Sequence, residues 1–123
     1  MTTLVKGQYP GGFLIWEVLR DYTRETGTIA SGAGKLAPGT VLGKITSGGK
    51  YTVLTPGASN GSQNAAGILW GQADASASDA PAVVLVRGPA IVNRHEVAWP
   101  EGITEGQTNT AIAALTALGI ILR

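Results

Sequence analysis

The sequence predicts an α+β fold, a small β-rich barrel or sandwich of about six short strands with one C-terminal helix and an extended N-terminal arm. Three observations carry that expectation. Eighteen glycines in 123 residues cut most of the chain into short segments of strand length. Paired start and stop signals for a helix occur near the C-terminus. Glycine and proline also break up the opening residues, so 1–35 reads as a flexible N-terminal arm and 36–123 as one domain.

In the arm, Gly7, Pro10, Gly11 and Gly12 interrupt the first dozen residues, and Gly27, Ser31, Gly32 and Gly34 interrupt the stretch before Lys35. Between them, Phe13 to Glu25 fits two patterns: a strand alternating Phe13 and Ile15 against Leu14, Trp16 and Val18, or a short helix grouping Ile15, Leu19 and Tyr22. Periodicity leaves both open. The chain has three tryptophans, three tyrosines and one phenylalanine, and Tyr9, Phe13, Trp16 and Tyr22 all fall in the arm. A tether would not need them.

From Pro38 onward the pattern is β. Thr40 to Ile45 and Tyr51 to Leu54 flank Thr46 to Lys50, where Gly48 and Gly49 supply the positive φ of a short hairpin loop. A polar loop, Thr55 to Asn64, leads to Ala66–Gln72, with Ala66, Ile68 and Trp70 on one face. The small-residue stretch Ala73 to Ala80 reads as a loop. Val83 to Val86 is an unbroken aliphatic run, expected of a strand covered on both faces, and Gly88-Pro89 forces a turn before Ala90 to Val92. Trp99, placed before Pro100, is restricted to extended backbone and open to a cis bond. Thr104 with Gln107 forms a capping-box pattern. Ala111, Ile112, Leu115 and Leu118 then recur at helical spacing, Gly119 can end the helix in the left-handed conformation, and Ile120 to Leu122 is a closing strand.

Composition excludes several classes of function. Nine basic and eight acidic residues give a net charge of +1, too little to gather the phosphate contacts of a nucleic-acid binder, so no direct nucleic-acid partner is expected. The absence of cysteine removes disulfides, thiolate chemistry and cysteine zinc sites, and suits a reducing compartment. No stretch is apolar enough to span a membrane, and the opening residues lack a signal-peptide layout. The charged fraction is 14%, well below the usual quarter. Interface centres are depleted of charge, so one reading is a surface that ends up against other protein; the other is simply a Gly- and Ala-rich β domain.

No catalytic constellation emerges. His95 is the only imidazole, and Glu96 beside it points the other way in extended chain. Gly39 to Lys44 has the look of a phosphate-binding loop, but its glycine spacing is one short, Ile45 replaces the Ser or Thr, and it lies in a strand pattern. Gly49-Lys50-Tyr51 lacks the flanks of a lysine-modified carrier domain. Glu17 with Arg20, or Asp21 with Arg24, would pair at helical spacing as a solvated face. No enzyme, cofactor, metal site or small-molecule substrate is expected.

Taken in order, G-T-V-L-G-K-I-T and G-K-Y at 39–51, G-S-Q-N-A-A-G-I-L-W at 61–70, V-V-L-V-R at 83–87, and V-A-W-P-E-G-I-T with A-L-G-I-I-L-R at the end resemble the phage head decoration proteins over about residues 24–123. The resemblance implies a small α+β domain that forms a homotrimer at three-fold and quasi-three-fold positions of an expanded capsid, cementing it against internal DNA pressure. It implies the major capsid protein as partner, the outer surface of the virion capsid as location, and synthesis in the bacterial host cytoplasm. It also implies an arm that adds backbone to a capsid strand. Tyr9, Phe13, Leu14, Ile15, Trp16, Val18 and Tyr22 would then be the capsid-binding residues, and Val84, Val86, Ile91, Trp99 and Pro100 would pack the trimer. The alternative from another class is a small-ligand-binding β-barrel with Trp70 and Trp99 lining its pocket.

Overall fold

The computed structural model describes residues 12–123. Along the chain run β1 (Leu14–Glu17), α1 (Arg20–Thr23), β2 (Arg24–Ile29), β3 (Gly34–Leu36), β4 (Val41–Lys44) and β5 (Tyr51–Val53). They are followed by β6 (Ala65–Leu69), β7 (Ala73–Ala75), β8 (Ala80–Leu85), β9 (Ala90–Val92), α2 (Glu105–Ala117) and β10 (Ile120–Leu122). The fold is α+β and β-rich, with one long helix near the C-terminus. Each of the six expected strands is present, as β4, β5, β6, β8, β9 and β10.

Four further strands bring the number among the described residues to ten. β2 is polar until Ile29, so no alternation marks it; six residue pairs with β8 hold it in place instead. β3 and β7, three residues each, pair with one another, and β7 converts part of the expected loop at Ala73–Ala80 into strand. The open choice at Phe13 to Glu25 resolves into both forms in succession, strand β1 and then the single turn α1. From residue 12 onward the stretch assigned to a flexible arm is thus built into the domain, because β2 is one wall of the barrel.

β2, β5, β4, β6 and β8 close into a barrel. Successive residues on its strands serve two apolar layers. Leu42, Leu69 and Val84 point inward with Ile29 and Tyr51, while Val41, Ile68 and Leu85 point outward into a second core with Phe13, Val92 and Leu115. This explains the adjacent aliphatic pairs: Val41 and Leu42, Ile68 and Leu69, and Val84 and Leu85 are each covered on both faces. β8 departs from this rule inside the strand, where Val83 is 40% exposed. The barrel interior is filled by its own side chains, and burial there raises the pKa of the Tyr51 hydroxyl.

α2 lies over the second core. Its capping box forms as the sequence predicts: Thr104 Oγ1 accepts from Gln107 N at 3.1 Å, and Gln107 Oε1 accepts from Thr104 N at 3.0 Å. Gly119 ends the helix at φ +90°, and the hairpin glycines Gly48 and Gly49 take φ +91° and +70°. Ala111 and Leu115 are buried and Ile112 is half-buried, whereas Leu118, the C-cap residue, turns partly outward. Burying the Leu115 side chain is worth about 1.5–3 kcal/mol. The cis peptide bond among the described residues is Gly88-Pro89, not Trp99-Pro100.

A second sheet carries the chain's opening and closing strands in the order β1-β9-β10. β1 runs antiparallel to β9, and β10 runs parallel to it. Leu14, Val92 and Leu122 align on its inner face against the core; Trp16, Ile91 and Ile121 align on its outer face.

Candidate functional site

The segment from Phe13 to Glu25 combines exposed apolar side chains with buried polar supports. Phe13, only 2% exposed, meets Trp70 edge-on, with ring centroids 5.7 Å apart and planes at 73°. The Arg24 guanidinium lies over the Trp70 ring, 3.3 Å from its centroid. Arg24 then reaches back to Glu17 with a Nε–Oε2 hydrogen bond of 3.2 Å and a second contact from Nη2 to Oε1. Both side chains are mostly out of water, so losing either leaves a poorly solvated charge, at a cost of about 1–3 kcal/mol. Arg24 therefore pairs seven residues back and not with Asp21, because β1 and β2 bring Glu17 alongside it.

Thr23 completes this clasp. Its hydroxyl donates to Glu17 Oε2 at 2.6 Å and is 3.1 Å from the Leu19 carbonyl, and the residue is fully buried. The Thr23 carbonyl accepts from Val86 N at 2.9 Å, tying α1 to the end of β8. Arg87 supports the same turn: it donates to the Tyr22 carbonyl, pairs with Glu25, and sits 5.2 Å from the Tyr22 ring centroid. The backbone of Val18 is fixed as well, donating to Pro89 O at 3.0 Å.

These supports leave a row of large apolar side chains in solvent: Ile15, Trp16, Val18, Leu19 and Tyr22 are 48–58% exposed. Held from below, they form a preorganised apolar surface, and such patches mark contacts with another macromolecule. Of the residues expected to bind a capsid, Ile15, Trp16, Val18 and Tyr22 lie here. Leu14 is half-buried against the core, Phe13 lies within it, and Tyr9 falls outside the described residues. Leu19 was not among those expected, although it sits in the same apolar run. The Glu17–Thr23–Arg24 clasp was legible only as a cluster of charges.

The expected trimer residues are dispersed. Val84 is fully buried and packs inside the barrel, whereas Val83 beside it on β8 is exposed. Val86 is half-buried at the end of β8, Ile91 lies on the outer face of the second sheet, and Trp99 and Pro100 are half-buried, with Trp99 packed on the second core.

Other candidates yield no chemistry. Gly39 to Lys44 runs into β4, whose backbone pairs with β5 and β6 and cannot cradle a phosphate. Lys50 is bound to Asp79 at 2.6 Å; that bond, and a second from Ser31 N, hold the Asp79 carboxyl below the usual range. His95 is exposed. No group of three His, Cys, Asp or Glu able to hold a metal occurs among the described residues, and no described helix is long and apolar enough to cross a membrane. Leu42, Leu69 and Val84 fill the barrel interior, and Trp70 stands outside it between Phe13 and Arg24, lining an open surface cleft with Thr26, Pro81 and Val83.

A comparison with the curated proteins gives no match. The family described as Bacteriophage lambda head decoration protein D matches residues 3–120, nearly the whole chain. The match covers far more than half of the sequence, and the chain belongs to the phage head decoration protein family.

Proposed function

We propose that this chain acts as a homotrimeric cement protein on the expanded phage head, bound at three-fold and quasi-three-fold sites through contacts with the major capsid protein. The family supplies the coarse role, decoration of a phage capsid. The observation that favours grip by this region is the apolar row Ile15, Trp16, Val18, Leu19 and Tyr22, exposed yet held by the Glu17, Thr23 and Arg87 contacts. Large apolar groups that are already ordered bind without the entropic cost of immobilising them. Of the residues expected to pack the trimer, Val86, Ile91, Trp99 and Pro100 are half-buried; packing falls to Val86 and the Trp99-Pro100 corner, with exposed Val83 in place of buried Val84.

Mechanism follows from linkage. A protein that binds only the expanded lattice stabilises that lattice by RT ln(1 + [L]/Kd), about 2.7 kcal/mol per site at a hundredfold excess over Kd. Summed over many sites, this opposes the outward push of packaged DNA. The protein would reside on the outer surface of the virion after synthesis in the host cytoplasm. Its chemistry requires no cofactor, and the family's role is structural.

The test is to incubate purified protein with empty expanded heads and image them. Density over the three-fold and quasi-three-fold positions is the expected result. Bare axes at saturating protein would contradict the proposal. Removing residues 1–11 in parallel asks what they add, and this truncation retains Phe13, whose burial the core requires.

A further inference from the structure

The outer face of the β1-β9-β10 sheet breaks the usual alternation of a sheet with one solvated side. Trp16, Ile91 and Ile121 align across its three strands. The next outward positions are Val18, Pro89 and Gly119, joined by the bonds Val18 N to Pro89 O at 3.0 Å and Ala90 N to Gly119 O at 3.1 Å. None of these six residues is charged or polar, and the face turns polar only past Ile91 and Ile121, at Asn93 and Arg123. Trp16 is 48% and Ile121 38% exposed, and Pro89 and Val18 are exposed as well. A solvated sheet face normally carries polar residues, so the apolar part of this one implies a covering partner.

We infer that β10 and β9 belong to the capsid-docking surface together with β1: Ile121, Ile91 and Pro89 seat against an apolar, uncharged strip of the phage head in the same step as Trp16 and Val18. This rests on the reading of Trp16 as a capsid contact and extends it to the closing strand of the chain. Two observations select this occupant. The face is continuous with the exposed row of residues 15–22, Trp16 being a member of both, so one partner must cover both. The phage head is also the partner that the family itself supplies. Docking here requires no rearrangement, because inward-facing Ile120 and Leu122 already fix β10 on the core.

Binding isotherms to empty expanded heads, by co-sedimentation, test this with Ile121→Asp, Trp16→Asp and, as a control on the exposed side of α2, Ala113→Asp. Thermal unfolding and the oligomeric state of each free protein are measured alongside. The expected result is a loss of affinity of about tenfold or more for both sheet variants, with Ala113→Asp, the unfolding temperatures and the oligomeric states unchanged. If Trp16→Asp loses binding and Ile121→Asp binds as the parent does, the inference fails and the capsid reading of the arm stands. If both bind normally, that reading fails too. If Ile121→Asp loses binding only in step with a changed oligomeric state, the face is a subunit contact and the inference is overturned. Should Ile121→Asp not fold, Ile121→Thr, which keeps a β-branched strand residue, decides the matter by the same readings.

Discussion

The closed barrel and the β1-β9-β10 sheet draw on the same aliphatic residues to opposite ends. In the barrel, β4, β6 and β8 bury adjacent residues on both faces, Leu42 and Val41, Leu69 and Ile68, Val84 and Leu85. Closure leaves no strand edge for a partner to pair with. The smaller sheet buries one face and leaves Trp16, Ile91 and Ile121 on the other. One region thus stabilises the subunit, and the other presents apolar area that the subunit does not need. The lesson is that apolar content alone does not distinguish core from interface; the second face of each strand does.

The largest effect should come from the barrel side. Leu85→Ala removes a fully buried side chain and should cost about 2–5 kcal/mol, a fall in melting temperature on the order of ten degrees, by calorimetry. Below that temperature its affinity for heads should match the parent's. A selective loss of affinity would break the separation between the two regions.

Next comes the clasp that joins them. Glu17→Gln removes the charge that Arg24 and Thr23 address, with an expected cost of about 1–3 kcal/mol. If the clasp acts on the apolar row, amide exchange should quicken at Val18 and Thr23, whose N–H groups are bonded to Pro89 O and Leu19 O, while strand β6 stays protected. Uniform acceleration across the barrel would show instead that the clasp supports the whole domain.

Much of the fold was legible in the sequence because it is written in local chemistry. Thr104, Gln107 and Gly119 bracket α2, Gly48 and Gly49 mark the hairpin, and aliphatic runs mark β4 and β8. What escaped depends on pairing between distant segments: β2 carries one buried apolar residue, Ile29, and exists because β8 lies beside it. The same holds at the candidate site. The aromatic content of residues 9–22 pointed to binding, but that Leu14 turns inward while Trp16, two residues on, turns outward follows from a register shift in β1 between them. Ile121 could have been found from alternation alone, since it sits between inward Ile120 and Leu122.

Two smaller effects sharpen the comparison. Trp16→Asp should leave stability within about 0.5 kcal/mol of the parent, as expected of an exposed site, while weakening head binding. A larger loss of stability would mean that Trp16 serves the subunit. The smallest effect belongs to the exposed Lys50–Asp79 pair at the barrel's end. Lys50 first, and Ser31 N second, lower the Asp79 pKa in the folded state, so its stabilisation is present above the ordinary Asp range near pH 4 and is lost as pH falls through the lowered value. Asp79→Asn should flatten the acid limb of the stability curve below about pH 4 and leave head binding at neutral pH unchanged.

Hydrogen exchange of the protein free and bound to expanded heads tests the division of labour most directly. The account predicts new protection in residues 14–22, 89–91 and 120–122 on binding, with β4, β6 and β8 exchanging at the same slow rate in both states. Protection gained on the outer side of α2, with none in those three segments, would contradict it.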